Sequence, residues 1–343
     1  MPRYLIIADG EIEEKISIAL HKKLRELSPH SPVFLLSLLW PGNFRKRGLK
    51  EIRWRSFPHF STFWCSFCKT FWRRRGWREE IVLVSARPLL LFFLFLLTGK
   101  KAVLVRSSKA WDLSFSLLER FLVKYFARVV FVDDYDLVKV CRLENIPIYF
   151  SGNVLADLLS PGDFSFPAGG KTVMVLFPRA FSLERDLIFL QEVAEEMALG
   201  TPAYFLLVVP GRVKVQEIRE KAEKMGWHWR RSLEGETIEG YLCKGKTYIN
   251  VTSFYQEALR QGDFVVSCDF VRVIQAAGFG KKVLPVFHLS PKEVAALLRN
   301  PTYLFEYNLI LSRRFGERGG IEKIAGFLLF GVVEDQKFVT RGA

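Results

Sequence analysis

Residues 131–159 read FVDDYDLVKVCRLENIPIYFSGNVLADLL. An apolar run ends at the paired acids Asp133-Asp134, a segment with apolar residues at helical spacing follows, and a second short apolar run stops at Gly152-Asn153. Strand, helix, strand and polar loop in this order is the repeating unit of a parallel sheet. It sets polar side chains at the carboxyl edge of the strands, where α/β domains place their chemistry.

The same alternation extends in both directions. YLIIA (4–8) leads into EIEEKISIALHKKLREL (11–27), then VFLLSLL (33–39); IVLVS (81–85) precedes the apolar run 88–98; KAVLV (101–105) precedes 112–126; RVVFV (128–132) precedes the quoted helix. Runs that are apolar throughout, rather than every second residue, belong to strands covered on both faces. The pattern breaks at LLSPGDFSFPAGGKT (158–172), whose prolines and glycines read as a linker. It resumes with TVMVLF (172–177), SLERDLIFLQEVAEEMALG (182–200), AYFLLVV (203–209), TYINV (247–251), DFVVS (263–267), VRVIQAAGFG (271–280) and VLPVF (283–287). The expected architecture is α/β: two Rossmann-like, doubly wound parallel-sheet domains, 1–160 and 170–343, facing across a cleft that receives the loops at the strand ends.

A chain of 343 residues is long enough for two cores, and half of it is hydrophobic. With 50 Lys and Arg against 36 Asp and Glu, the net charge is +14, which points to a partner with negative charge: nucleic acid, anionic lipid or a phosphorylated small molecule. Five cysteines form no disulfide framework, and MPRYLIIADG opens on a strand rather than a signal peptide, so the cytoplasm is the expected compartment. PLLLFFLFLLTG (88–99) is half the length that a membrane-spanning helix requires, about twenty residues.

Much of the excess positive charge lies in 43–78, where arginines and lysines alternate with Phe and Trp against the single acid Glu51. Trp64, Phe67, Trp72, Arg73, Arg74 and Arg75 are the expected contacts to an anionic membrane surface, aromatics at the headgroup level and cations on lipid phosphates. Packing of the aromatics beneath the domain is the plain alternative. Single-stranded nucleic acid is a weaker one, since no RNA-binding motif accompanies the strip. Cys65 and Cys68 within it lack the further ligands of a zinc site and read as packed thiols.

No Walker A or GxGxxG stands at any strand-to-helix turn, which argues against P-loop and dinucleotide enzymes. The first turn, ADGEIEE (8–14), instead carries acids. Glu11 and Glu13 there, and Asp134 in the quoted stretch, suit either helix capping or proton abstraction from a hydroxyl. No acid or histidine cluster indicates a metal, and no cofactor is expected.

These segments together resemble proteins related to lipid A disaccharide synthase, two-domain glycosyltransferases of the GT-B fold. IADGEIEEKISIAL is similar to the family's opening ISNGHGEDxxAxxL, and VLVRSSKAWD (103–112) to its strand-end segment. The quoted stretch is similar to its RDxxTAxxLxxxGIPAxFVGNPMMDxL, VMVLFPRAFSLERDL to its LLPGSRxxE turn, QAAGFGKKVLPV (275–286) to EQAVGLGKPVV, and RRFGERGGIEKIAGFLL (313–329) to its closing RMGxxGGxxxIAxxL. The resemblance implies a nucleotide-sugar donor such as a UDP-sugar, held by Arg179, Ser182, Gln275 and Gly278. It implies a lipid-linked or phosphorylated acceptor near Lys109 and Asn153 and a base among Glu11, Glu13 and Asp134, while the basic aromatic strip 43–78 adds the expectation of a peripheral membrane location. The chain departs from the family at Ser85-Ala86, where relatives carry Gly-Asp, at Arg179-Ala180-Phe181 for Gly-Ser-Arg, and at Ile274 for a glutamate. A non-catalytic binding or scaffold protein on the same fold is the alternative these departures raise.

Overall fold

The computed structural model describes residues 2–38, 44, 49, 79–106, 115–159, 164–200, 202–211, 213–232, 237–286 and 289–331. It divides into two compact units, the first built from residues up to Leu158 together with the segment that begins at Arg318, the second from Leu159–Glu317.

The first unit holds a six-stranded sheet of order β2-β1-β3-β4-β5-β6. Its strands are β1 (Tyr4–Ala8), β2 (Val33–Ser37), β3 (Glu80–Val84), β4 (Ala102–Arg106), β5 (Ala127–Val132) and β6 (Ile148–Phe150), every pairing parallel. β1 is fully buried, as its unbroken apolar run requires. Helices α2 (Leu89–Thr98), α3 (Leu117–Phe126) and α4 (Tyr135–Leu143) share one core with Leu5, Ile7, Leu83, Leu104 and Val130. The helix α1 (Glu11–Leu27) buries Ile16, Leu20 and Leu24 and packs against the chain's last described helix, Gly320–Phe330.

The second unit holds seven strands in the order β13-β12-β7-β8-β11-β10-β9. β7 (Thr172–Phe177), β8 (Ala203–Val208), β11 (Thr247–Thr252), β12 (Phe264–Ser267) and β13 (Lys282–Pro285) run parallel, while β9 (His228–Arg231) and β10 (Gly240–Lys244) add an antiparallel edge. The helices are α5 (Leu183–Ala198), α6 (Val215–Lys224), α7 (Tyr255–Gln261), α8 (Phe270–Gly278), α9 (Pro291–Leu298) and α10 (Pro301–Phe315). Among the parallel strands the order reverses between β1 and β3 in the first sheet and between β7 and β12 in the second, the positions at whose carboxyl edge α/β sheets bind ligands.

The helix α11 (Gly320–Phe330) corrects the domain boundary expected at 170–343, because its partners lie in the first sheet. Phe327 meets Phe131 of β5 at 5.2 Å between ring centroids, and the Tyr4 hydroxyl donates to the carbonyl of Leu328 at 2.7 Å. Two glycines make the return possible. Gly319 sits at φ 109°, and a Cβ on Gly320 would lie 2.7 Å from Val154 Cγ1 and 3.0 Å from the Gly152 carbonyl. Asp157 then accepts the backbone N–H groups of Gly319 (2.7 Å) and Ile321 (2.8 Å), which caps the helix.

Candidate functional site

At the first sheet's carboxyl edge the acids of the opening turn part company. Glu11 is half exposed and pairs with Lys15 at 3.4 Å, one helical turn on. Glu13 and Glu14 face inward and are buried. A Cβ on Gly10 would overlap the Glu13 carboxylate, which would then have to turn aside. Glu14 accepts from Ser37 at the end of β2, and Asp9 accepts from Ser85 at the end of β3 at 2.5 Å. The Asp9–Ser85 bond therefore ties β1 to β3 across the point where the strand order reverses. Asp9 is one of the acids of the opening turn ADGEIEE, but its hydrogen bond to a neighbouring strand end is not visible in the sequence. Ser85 stands where the resemblance puts glycine.

Farther along the same edge, β4 ends in Arg106 and β5 in the buried pair Asp133 and Asp134. Asp134 is the N-cap of α4, accepting from the backbone N–H groups of Asp136 (3.0 Å) and Leu137 (3.4 Å). Asn153 is buried and accepts from Ala156 N at 2.9 Å, so it shapes the loop that leads to Asp157. Lys109 lies outside the described residues, as do Trp64, Phe67, Trp72, Arg73, Arg74, Arg75, Cys65 and Cys68.

In the second unit, Arg179 follows β7 at the reversal between β7 and β12. It is committed to an internal partner. Asp186, buried in the first turn of α5, accepts from Arg179 N (2.8 Å), Nε (2.9 Å) and Nη2 (2.7 Å), and from Ser182 Oγ (3.2 Å). Glu184, the neighbouring acid of the same turn, pairs with Lys221 at 3.1 Å instead. Burial alone would push the Asp186 carboxyl up, but the Arg179 hydrogen bonds and charge outweigh it and hold the group below the usual carboxylate range. The same bonds raise Arg179. An anion position that the sequence reading offered to a diphosphate is thus occupied by the protein's own carboxylate.

A guanidinium fork has five donors, and the Asp186 contacts engage one edge of it, through Nε and Nη2. Beside it opens a groove of about 760 Å³, lined by Arg179, Arg185, Phe189, Cys268, Val286 and Leu289 among others. Burial and the nearby Asp186 push the Cys268 thiol up to about 12, so it is held as a neutral wall group. Phe181 stands mostly exposed, its ring centroid 5.2 Å from the Arg179 guanidinium carbon.

The remaining donor candidates sit elsewhere. Gln275 is buried on α8 and accepts from Arg272 Nη1 at 2.8 Å. Gly278 is buried at the far end of the same helix. Ile274 is fully buried, so no carboxylate projects from that turn. Among the described residues no group of three or more His, Cys, Asp or Glu is placed to hold a metal ion, and no helix is long and apolar enough to cross a membrane.

No family model and no curated protein matches the chain. Solved structures match over nearly its whole length. The S. aureus protein MnaA, solved with UDP, shares 12% identity at a TM-score of 0.62, over 96% of this chain and 97% of that one. A glycosyltransferase from Rickettsia africae ESF-5 shares 12% at 0.60, over 97% and 100%. The UDP-GlcNAc 2-epimerase of Neisseria meningitidis, bound to UDP-GlcNAc, shares 10% at 0.52, over 95% and 98%. At these identities the likeness defines the fold, which is GT-B: two Rossmann-like, mainly parallel α/β domains.

Proposed function

We propose that this chain transfers a sugar from a nucleotide-activated donor, a UDP-sugar, to a lipid-linked or phosphorylated acceptor at a membrane surface, without a metal. The observation that carries the reading is Arg179, placed at the carboxyl edge of the second sheet where the strand order reverses, beside a groove of ligand size. Support for the donor class comes from fold neighbours that were solved with UDP or UDP-GlcNAc. In this mechanism a buried acid of the first unit, Glu13 or Asp134, takes the acceptor proton, and the outer edge of the Arg179 fork meets the departing diphosphate. The resemblance to lipid A disaccharide synthase belongs to the same proposal.

Described residues support the membrane part independently of 43–78. The outward faces of α2, α3 and α4 expose Leu89, Leu96, Leu117, Leu118, Phe121 and Leu143, with Leu117 84% exposed. Lys100, Lys101, Lys124 and Arg142, on or just after the same helices, are exposed as well. Exposed apolar side chains together with cations suit an anionic bilayer surface.

Calorimetry with UDP and UDP-sugars tests the donor. Heat of binding in the wild type, lost in Arg179→Ala, is expected. No heat from any nucleotide would overturn the transferase reading and favour a non-catalytic GT-B binding protein, which the buried Ile274 and the Asp186 clamp on Arg179 already recommend as the second reading. Flotation with vesicles of mixed phosphatidylglycerol and phosphatidylcholine tests the surface. Equal recovery with and without the anionic lipid would remove the membrane from the proposal.

A further inference from the structure

One buried charge in the first unit is left unsatisfied by the fold. Arg106 ends β4 and is 7% exposed. Among the described residues, neither its Nε nor its Nη1 has a hydrogen-bond partner, although both are shut off from water. The carbon of its guanidinium lies 4.2 Å from the Phe115 ring centroid. That contact engages the flat face of the group, whereas the N–H donors point outward in its plane, so stacking cannot satisfy them.

An arginine in this position cannot escape by losing its proton, because guanidinium stays charged in proteins. Burial pulls its pKa below the ordinary range, and the nearby acids Glu119 and Asp133 do not make up the difference. Buried charges are normally paired, and an unsatisfied one calls for an explanation in a missing partner.

Location supplies the candidate. β4 lies between β3 and β5, so Arg106 shares its carboxyl edge with Ser85 and Asp9 on one side and Asp133 and Asp134 on the other. Guanidinium forks match phosphate oxygens in pairs, and an oxyanion entering here would displace no existing hydrogen bond. We propose that Arg106 is the anion-binding residue of the first unit, taking a phosphate group of the acceptor on its unsatisfied N–H edge. The acceptor's role rests on the transferase reading above; the anion site itself does not.

A test of this kind separates the two. Thermal unfolding is followed in an Arg179→Ala background, which removes the second unit's cation, with inorganic phosphate, glycerol 1-phosphate or acetate at constant ionic strength. The chain with Arg106 is expected to gain stability saturably with the two phosphates, and Arg106→Met is expected to lose that response. In anion-free buffer Arg106→Met should melt about 2–4 °C higher, since an uncompensated buried charge has been replaced by an apolar side chain of similar length. Arg106→Lys keeps the charge without the fork and should weaken the phosphate response at least tenfold. A purely structural arginine gives the opposite sign, with Arg106→Met melting lower. That result, a missing phosphate response, an equal response in Arg106→Met, or saturation by acetate as strong as by phosphate would each overturn the assignment. A positive phosphate response with no UDP heat would retain the anion site and discard the transferase.

Discussion

At the residue scale, the Arg179–Asp186 pair decides how the second unit can meet a nucleotide. Four donors converge on one buried carboxylate, so Asp186→Ala strands an arginine and frees the Ser182 hydroxyl at the start of α5. The expected loss is about 2–3 kcal/mol, at the low end for a broken buried pair because Arg179 keeps some access to water; chemical denaturation measures it. The pH dependence follows from the depressed Asp186 pKa. The stabilisation is complete above the unfolded carboxylate pKa of about 3.9 and fades as pH falls through the lower folded value, so the Asp186→Ala deficit should shrink at acid pH and stay constant from pH 5 to 8. Cys268 next to the pair, at about 12, should resist thiol reagents at pH 8 in the folded chain, as should Cys141, which burial pushes to about 11. Rapid labelling of either one without unfolding would contradict their burial. Arg179 itself was legible from its place after a strand. Asp186 was not, because a first-turn acid on a helix has an ordinary local explanation and the sequence does not show which way its carboxylate turns.

At the element scale, the parallel strands and the helices between them could be read almost residue by residue. β1, α1 and β7 have the limits expected from their apolar runs, since a strand covered on both faces has no polar positions to blur its signal. The antiparallel edge was missed for the converse reason. β9 is HWRR, an exposed edge strand in which only Trp229 is even partly buried among charged neighbours, and β10 joins β11 through the two-residue turn Gly245-Lys246, flanked by Lys244 and Thr247. α10 was missed as well: Phe305, Leu309 and Ile310 are exposed on it and spoil the amphipathic pattern. The start of α11 allows a comparison between two kinds of local damage. Asp157→Ala removes a cap and should cost about 1 kcal/mol, while Gly320→Ala forces a methyl into Val154 and the Gly152 carbonyl and should cost about 1–3 kcal/mol. If the two substitutions rank the other way in urea denaturation, the close approach at Gly320 is not what holds this helix in place.

At the scale of the whole molecule, the chain's order and its architecture disagree at one point, and no local signal announces it. The repeat of strand and helix predicts two consecutive domains, yet the first unit is completed by a helix that follows the entire second unit. Which sheet an amphipathic helix covers is decided by complementary surface, here Ile321, Ile324, Phe327 and Leu328 against α1 and β5, and that surface is spread over 300 residues of sequence. The consequence is an asymmetry between fragments. Residues 159–317 contain all the described strands and helices of the second unit, including the core from Met174 to Leu304, and are expected to unfold in a single cooperative calorimetric transition when expressed alone. Residues 1–158 lack the cover for Tyr4, Phe131 and the outer side of α1, and are expected to show no cooperative transition and to bind a hydrophobic dye. Joining 318–331 to 1–158 through a flexible linker should restore the transition. If 1–158 melts cooperatively without that helix, the return of α11 is a decoration of the first sheet rather than a part of its core.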